Sequence, residues 1–137
     1  STNIQANYIT ALTPFESWQF QYFGSTNDPA AAPSADPDGD ALTDLQEFLA
    51  GTDPTNSASA FRITSVASED IDIRVTWTTG TGKTNALERT AGAAGSFSNN
   101  FTTVFTVTNT VGTSTNYLDL GAATNVPSLY YRIHLVP

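Results

Sequence analysis

Apolar and polar positions alternate in different ways along the chain and divide it into three parts. Residues 1–12 show the loose two-residue period of a β-strand. Residues 13–60 contain two short stretches with helical spacing, separated by loop sequence. Residues 61–137 carry β-branched and aromatic residues in short alternating runs between turn signals. We therefore expect an N-terminal strand, a small helical segment and an all-β domain.

The first helix is predicted between Thr13 and Gly24. Thr13 is a suitable N-cap, and Glu16 completes a capping box. Pro14 fits the first helical position, and Gly24 stands where a helix ends. A second, shorter helix is predicted to end at Gly51. The apolar residues at helical spacing are Phe15, Trp18, Tyr22 and Phe23 in the first helix, where they are expected in the core, and Leu45, Phe48 and Leu49 in the second.

Six strands are expected in the third part of the chain. Apolar residues alternate with polar ones in the second and in the last of these strands, which is typical of half-buried antiparallel strands in a β-sandwich. The residues that share one face are Ile71, Ile73, Val75 and Trp77 in the second strand and Leu129, Tyr131, Ile133 and Leu135 in the last. The predicted strands lie near residues 61–66, 71–78, 84–90, 101–108, 115–120 and 129–136.

The stretch DPDGDALTDLQE, residues 36–47, contains five carboxylates in twelve residues, although only 13% of the chain is charged. Without a cation, so many neighbouring negative charges would repel one another and favour an open chain. Their spacing is that of a twelve-residue calcium loop, in which short side chains on alternate residues supply oxygens and a carboxylate from the following helix closes the site. The predicted Ca²⁺ ligands are Asp36, Asp38, Asp40, the backbone carbonyl of Leu42, Asp44 and the bidentate Glu47.

One position departs from the calcium-loop pattern. The sixth residue is usually glycine, whereas this chain has Ala41 there, with Gly39 two residues earlier to supply backbone freedom. The alternative interpretation is a solvated acidic turn without an ion, in which Thr43 or Asp44 is the N-cap of the second helix.

The segment DPDGDALTDLQEFLAGTDPTNSAS, residues 36–59, resembles the dockerin-like, thrombospondin type 3-like calcium segments of secreted bacterial proteins, in which GTDPTN typically follows the loop. In relatives of this loop a second ion can share the same carboxylates. The resemblance therefore adds Asp53 as a further metal ligand and Asp28 as a weaker candidate, and it leaves open whether one ion or two are bound.

The stretches IRVTWTTGTGKTNALERTAG and YYRIHL resemble the fibronectin type III and immunoglobulin-like sandwich. The resemblance implies that Trp77 packs in the core and that Tyr131 begins the penultimate strand, with Ile133 and Leu135 continuing inward. A last strand should then follow, but the sequence stops at Pro137. We therefore expect an immunoglobulin-like β-sandwich lacking one strand, with a hydrophobic groove lined by Trp77, Tyr131, Ile133 and Leu135.

A sandwich that lacks a strand has an unpaired edge, which another strand is expected to fill. The unassigned strand-like segment is residues 1–12, with Ile4, Ala6 and Tyr8 on one side. This segment either folds back onto its own domain or enters the groove of a second copy, and the second arrangement propagates into a fibre. In a fibre, the calcium segment would act as a rigid spacer that keeps the strand away from its own groove.

Charge and composition limit the partners of the protein. The chain has 13 acidic and 5 basic residues, and its net charge of −8 argues against nucleic acid and anionic membrane surfaces, because both require cationic contacts. No apolar run approaches the roughly 20 residues that span a bilayer. The chain has no cysteine, which excludes disulfides and thiol chemistry but does not fix the compartment. It begins at Ser1 without a methionine, which we interpret as a processed product of secretion.

The sequence shows no arrangement of residues typical of a catalytic site, and we expect the protein not to be an enzyme. The single histidine, His134, falls on the polar side of the last predicted strand. The motif TGTGKT at 79–84 lacks the full spacing of a phosphate-binding loop and is predicted to be a hairpin turn. Asn100 begins an NFT glycosylation sequon, so surface glycans are a further candidate partner.

Taken together, the sequence resembles a subunit of an extracellular, pilus-like fibril, a cell-surface homopolymer assembled by donor-strand exchange and stabilised by calcium. The alternative is a C-terminal accessory module of a secreted protein, which would bind carbohydrate, a partner protein or the cell envelope. A row of exposed aromatic residues on one sheet would favour carbohydrate binding, and Tyr117 and Tyr130 are the candidates for it.

Overall fold

The computed structural model describes residues 11–124 and 128–137. The predicted donor strand, with Ile4, Ala6 and Tyr8, lies outside the described residues apart from positions 11 and 12. The helices are α1 (Pro14–Phe23) and α2 (Asp44–Ala50), with a 3₁₀ turn at Pro29–Ala31 between them. The strands are β1 (Arg62–Glu69), β2 (Asp72–Thr78), β3 (Thr84–Ala93), β4 (Ser96–Phe97), β5 (Thr102–Val107), β6 (Ser114–Asp119) and β7 (Ser128–Val136).

Both helices begin in capping boxes. The backbone N–H of Glu16 donates to Thr13 Oγ1 at 3.1 Å, and the backbone N–H of Thr13 donates back to Glu16 Oε1 at 2.9 Å. Thr43 and Gln46 make the same reciprocal pair at the start of α2. Both helices end at the predicted glycines, which have φ of 72° and 73°. The predicted start of the first helix and the predicted ends of both helices are therefore confirmed, and of the two N-cap candidates for the second helix the structure uses Thr43. Neither helix is long and apolar enough to cross a membrane.

Aromatic rings hold the two helices together. The ring of Phe48 in α2 lies 5.2 Å from that of Phe15 and 6.0 Å from that of Trp18, both in edge-on contact. The other two apolar residues of α2 face outward, with Leu45 42% exposed and Leu49 53% exposed. The helical segment therefore has a small aromatic core of its own, and α2 keeps an apolar face available for another contact.

The β domain consists of two antiparallel sheets, which confirms the prediction of a mainly β fold. In the first sheet the strand order is β1-β2-β6. In the second sheet β3 is central and pairs with β7 on one edge and with β5 and the short β4 on the other. Sequence analysis missed β4, because two residues are too few to show an alternating pattern.

The two sheets share one core. Its fully buried residues are Val75 and Trp77 of β2 and Leu87 of β3. The indole N–H of Trp77 donates to Asn85 Oδ1 at 3.1 Å, so a buried hydrogen bond also joins the sheets. The apolar residues packed around them remain partly exposed: Phe61, Ile63, Ile73, Val104, Phe105, Val107, Tyr117, Tyr131 and Ile133.

The start of the second strand differs from the prediction. Ile71 belongs to the turn before β2 and is 56% exposed, so it does not share the inward face with Ile73 and Val75. The preceding Asp70 has φ of 62°, a left-handed conformation that reverses the chain tightly between β1 and β2. The alternation of apolar and polar residues could not separate Ile71 from the strand, because an apolar turn residue fits the two-residue period as well as a strand residue does.

The helical segment packs closely on one end of the sandwich. The end of α2 meets the turn between β2 and β3, where a β-carbon added at Gly80 would collide with the carbonyl oxygen of Ala50 and stand 2.5 Å from that of Gly51. In the chain between α2 and β1, Pro54 and Ala60 are also buried. The contact leaves room only for glycine at position 80.

Replacing Gly80 by alanine is expected to push α2 away from the sheets and to lower the free energy of unfolding by about 1–3 kcal/mol, the usual cost of overpacking. Chemical denaturation followed by circular dichroism measures this change. Val111→Ala, at a 90% exposed position, is the control and should leave stability nearly unchanged. Equal stability of Gly80→Ala and the original chain would contradict the close packing.

Candidate metal centre and sheet edge

The acidic loop curls around its own carboxylates. Asp36 Oδ1 accepts the backbone N–H of Gly39 at 2.8 Å, and its Oδ2 accepts that of Ala41 at 3.0 Å. Asp40 Oδ1 accepts the backbone N–H of Leu42 at 2.8 Å. Short aspartate side chains favour such local turns. The loop thereby brings one carboxylate oxygen each of Asp36, Asp38 and Asp40 within 4.8 Å of one another.

Two further carboxylates enter from α2. Asp44 and Glu47 stand three residues apart in the first turn of the helix and therefore lie on one face. Both side chains are fully buried, with 0% exposure. Few aspartates and glutamates are fully buried unless they are paired or bind metal.

Half of the carboxylate oxygens of this cluster have no hydrogen-bond donor among the described residues. The described residues provide no partner for five buried carboxylate oxygens: Asp38 Oδ2, Asp40 Oδ2, both oxygens of Asp44, and Glu47 Oε2. A buried anionic oxygen without a partner is costly, and native structures contain few of them. A cation near these oxygens would compensate their charge, although the oxygens that lie within 4.8 Å of one another belong to Asp36, Asp38 and Asp40 and not to Asp44 or Glu47.

The raised pKa values of the buried carboxylates also favour a bound cation. Burial, reinforced by the charges of Asp38 and Asp36, raises the pKa of Asp44 to about 6. Burial raises the pKa of Glu47 to about 7, with contributions from Asp38, Asp40 and Asp44, although a hydrogen bond from Thr52 opposes the shift. Without a cation, both groups therefore hold their protons to unusually high pH.

The donor set selects the kind of ion. All candidate ligands are oxygens, from carboxylates and the Leu42 carbonyl, and no cysteine or histidine belongs to the cluster. Oxygen-only sites suit hard divalent cations such as Ca²⁺ and Mg²⁺ rather than zinc or copper. The residues present therefore fit a hard divalent cation, and the predicted ligands Asp36, Asp38 and Asp40 form its exposed side.

Three hydrogen bonds that hold the site together were not predicted from the sequence. Thr52 is buried, and its hydroxyl donates to Glu47 Oε1 at 3.1 Å, which fixes the rotamer of that carboxylate. The backbone N–H groups of Asp44 and Leu45 donate to the carbonyls of Ala35 and Pro33 at 2.8 and 3.1 Å. Thr52 could have been predicted from its position in GTDPTN. The hydrogen bonds to the carbonyls of Ala35 and Pro33 could not, because they join backbone atoms and leave no pattern of side chains in the sequence.

The two additional candidates have local roles. Asp53 Oδ1 accepts both the backbone N–H and the hydroxyl of Thr55, at 2.9 and 2.6 Å, and so caps a turn. Asp28 Oδ1 accepts the backbone N–H of Ala30 at 2.8 Å and caps the 3₁₀ turn. Burial raises the pKa of Tyr22, and the charges of Asp53 and Glu47 add to this shift.

Ala41, which replaces the usual glycine at position six of the loop, adopts a strained backbone conformation. Ala41 has φ of 79°, and Gly39 has φ of 74°, so the loop uses the left-handed conformation at both positions. Alanine pays a steric cost there that glycine does not. The loop thus keeps the conformation that the calcium-loop pattern assigns to glycine.

Ala41→Gly is expected to raise the free energy of unfolding by about 0.5–1 kcal/mol, the relief of steric strain less the entropy of an added glycine. Ala32→Gly is the matched control, because Ala32 has an ordinary φ of −62° and glycine there should destabilise the fold. Denaturant titration of both variants checks the prediction. A destabilised Ala41→Gly would show that the loop is held in a different conformation.

The raised pKa values of Asp44 and Glu47 predict how stability depends on pH in the absence of metal. A folded-state pKa above the unfolded value, near 3.8 for Asp and 4.5 for Glu, gives stability that is present at low pH and lost as pH rises through the folded pKa. The melting temperature of metal-free protein should therefore fall between about pH 5 and pH 7. The pKa values of Glu69 and Glu88 are lowered by Arg74 and Arg132, and their opposite contribution lies below this window.

Scanning calorimetry of metal-free protein from pH 5 to pH 8 measures this trend. Saturating metal should reverse it, because protons compete with the ion for the same oxygens. A metal-free melting temperature that rises steadily from pH 5 to pH 7 would contradict the buried, uncompensated state of the two carboxylates.

The second feature of interest is a pair of neighbouring sheet edges. Within residues 11–124 and 128–137, β7 pairs only with β3, and β1 pairs only with β2. The two edge strands contact each other where the sheets meet. Every residue of β1 except Ile63 is exposed. Within the described residues β6 and β5 are edge strands as well, so the sandwich has open edges on both sides, and β1 is more exposed than β6.

The predicted groove residues differ in their surroundings. Ile133 and Leu135 of β7 are half-buried, as expected for side chains that face a partly covered core. Tyr131 is also half-buried, and its hydroxyl donates to Asp119 Oδ2 at 2.8 Å, beside the ion pair of Asp119 with Arg89. Trp77 is completely buried, so it belongs to the core shared by the two sheets and offers no surface to a second strand.

The remaining sequence candidates lie on the surface. His134 Nδ1 is 3.5 Å from Glu88 Oε1, which also pairs with Arg132. The motif at 79–84 opens no helix, but the predicted hairpin is wrong, because it joins β2 to β3 and these strands lie in different sheets. Asn100 is exposed.

The fold and the site together define a mainly β protein with two antiparallel sheets and a buried cluster of carboxylates that fits a hard divalent cation. No protein-family model, curated protein or solved structure matches the chain.

Proposed function

We propose that the protein is a calcium-stabilised structural subunit of an extracellular, pilus-like fibril, in which residues 1–12 of one subunit pair with the sheet edge of another. The observation that carries this proposal is the pair of edge strands β1 and β7, which the described residues leave without a further strand. Backbone donors and acceptors at such an edge favour the addition of a strand from another chain. The partner in this account is another copy of the same chain.

The strand order supports an immunoglobulin-like arrangement of this edge. In that fold, strands A, B and E lie in one sheet, and C, F and G lie in the other. The order β1-β2-β6 corresponds to A-B-E, and β7 beside β3 corresponds to F beside C. The outer edge of β7 is then the position of strand G, for which residues 11–124 and 128–137 supply no strand. A donated strand would occupy this position.

Calcium is the ion that we propose for the acidic centre. Ca²⁺ takes about six to eight oxygens at flexible distances, whereas Mg²⁺ demands near-octahedral geometry and retains several waters. The five unpartnered oxygens of Asp38, Asp40, Asp44 and Glu47, with the carbonyl of Leu42, are six protein oxygens, which suits Ca²⁺ and leaves no position for the waters that Mg²⁺ retains. Calcium sites of extracellular modules bind with Kd of about 10⁻⁴–10⁻³ M, which suits a permanently occupied structural site outside cells.

Negative-stain microscopy of the full chain tests the proposal. In calcium the protein should form unbranched filaments, whereas after chelation filaments should be absent or short. Dispersed particles in calcium at high protein concentration would overturn the fibril.

A second candidate function is an accessory binding module. Phe97, Phe101 and Tyr130 form an aromatic cluster on the second sheet, with ring centroids 5.4–5.6 Å apart and Phe97 53% exposed. Exposed aromatic rings are a feature of carbohydrate sites, and Tyr130 was one of the two sequence candidates. The other, Tyr117, stacks on Phe105 at 4.6 Å inside the sandwich. Retention on polysaccharide that is lost in Phe97→Ala, together with dispersed particles in microscopy, would favour this function.

A further inference from the structure

Helix α2 has two functional faces. One face carries Asp44 and Glu47 into the metal centre. The other carries Gln46 and Leu49 toward the sandwich, where Leu49 remains 53% exposed. Helix α2 therefore stands between the metal centre and the sheet edge.

An apolar hollow lies between α2 and the sheet edge. It has a volume of about 200 Å³. An apolar cavity of about 150 Å³ is large enough for benzene, so this hollow has room for one large side chain. It is lined by Leu42, Gln46, Leu49 and Ala50 of the helical segment, by Phe61 before β1 and by Leu135 near the end of β7. The hollow is thus located where the edges of both sheets reach the metal-binding segment.

We propose that this hollow receives Ile4 or Tyr8 from residues 1–12 of a second copy, and that metal binding maintains the hollow by fixing α2. The inference rests on the proposed fibril function and adds to it a regulatory role for the ion. The metal centre then controls strand capture directly, in addition to stiffening the segment between strand and sandwich.

The length and character of residues 1–12 favour them as the occupant. Twelve extended residues span roughly 40 Å, and the nine residues of β7 span roughly 30 Å, so the segment covers the whole edge and reaches the hollow at its end. The segment has no charged residue and meets a hollow lined by uncharged side chains. A neutral strand also avoids the repulsion that a net charge of −8 on each copy would impose on an acidic one.

The ion acts on the hollow through two residues. Leu42 would bind the metal with its carbonyl, while its side chain lines the hollow. Glu47 would bind the metal from the middle of α2, one turn before the end of the helix that packs on Gly80. Without the ion, repulsion among the buried carboxylates favours displacement of α2, and the wall formed by Leu49 moves with it.

Cysteine cross-linking tests the contact, because the chain has no cysteine of its own. Leu49→Cys protein is mixed with Ile4→Cys protein or with Tyr8→Cys protein under oxidising conditions. One of the two mixtures should give a disulfide-linked heterodimer, and only a contact between different copies can produce it. Leu120→Cys is the control, since Leu120 is 75% exposed and adjoins Leu129 at the opposite end of β7.

The metal dependence of the same reaction tests the coupling. Calcium should increase the yield of heterodimer by about tenfold over chelated protein, within the range typical of coupled sites. Equal yields with and without calcium would overturn the control by metal. If filaments form but Leu49→Cys does not cross-link, the proposed role of the hollow is overturned and the proposed fibril stands. The same holds if Leu120→Cys cross-links equally well. Neither filaments nor cross-links would overturn both.

A charge in the hollow provides a second readout. Leu49→Lys should fold normally, because the side chain is half in solvent, but should stop filament growth by blocking the hollow with a charge. Leu120→Lys should grow filaments like the original chain. Normal filaments of Leu49→Lys would overturn the inference while leaving the proposed function standing.

Discussion

Replacing Glu47 by glutamine is expected to remove the calcium-dependent part of stability. At about 10 mM calcium, roughly 100 times a Kd near 10⁻⁴ M, bound ion stabilises the folded state by about 2.7 kcal/mol. Glutamine cannot supply the bidentate negative ligand, so the variant should melt about 5–10 °C below the original chain in calcium. Thermal unfolding followed by circular dichroism, with calcium and with chelator, measures both states.

After chelation, the effect of Glu47→Gln on the melting temperature should change sign. Without the ion, Glu47 is a buried carboxylate whose Oε2 has no donor among the described residues, and glutamine removes that charge. Metal-free Glu47→Gln should therefore be at least as stable as the metal-free original chain at pH 7. Asp70→Asn, which removes an exposed charge in the turn before β2, is the control and should change neither state. A variant that melts at the same temperature as the original chain in calcium would contradict the metal centre.

Deletion of residues 1–12 is expected to abolish filaments and to leave dispersed single subunits. The reason is that the edge of β7 would lose the strand that links successive copies. Size-exclusion chromatography with light scattering and microscopy measure the assembly, and circular dichroism verifies that the sandwich is still folded. The truncated protein making filaments of normal length would rule out strand donation.

Point substitutions in residues 1–12 test whether strand donation needs the apolar side of the segment and not merely its length. Ile4→Asp with Tyr8→Asp should prevent filaments, because two charges would have to enter an apolar groove. Gln5→Asp with Asn7→Asp adds the same charge on the opposite side of the predicted strand and should allow filaments to form. If both pairs behave alike, the segment does not insert with the predicted face inward.

Local features of the fold could be predicted from sequence because they depend on neighbouring residues. The capping boxes of Thr13 and Thr43 and the glycine ends of both helices follow from hydrogen bonds that span three or four positions. The spacing of aspartates in residues 36–47 likewise indicated a loop that folds over its own carboxylates, and the backbone hydrogen bonds to Asp36 and Asp40 agree with it.

Features that depend on distant parts of the chain were not predictable in the same way. The burial of Asp44 requires the carbonyl of Ala35 and the neighbouring loop to cover it. The complete burial of Trp77 depends on its bond to Asn85 across the two sheets. Leu49 has the spacing of a core residue but faces the sheet edge, because the side of α2 that packs on α1 is occupied by Phe48.

Calorimetric titration of calcium into the metal-free full chain tests the metal centre most directly, and both the stability and the assembly predictions depend on it. We predict saturable binding with Kd of about 10⁻⁴–10⁻³ M and its loss in Glu47→Gln. Folded protein that shows no saturable heat at millimolar calcium, or equal binding by Glu47→Gln, would contradict the account.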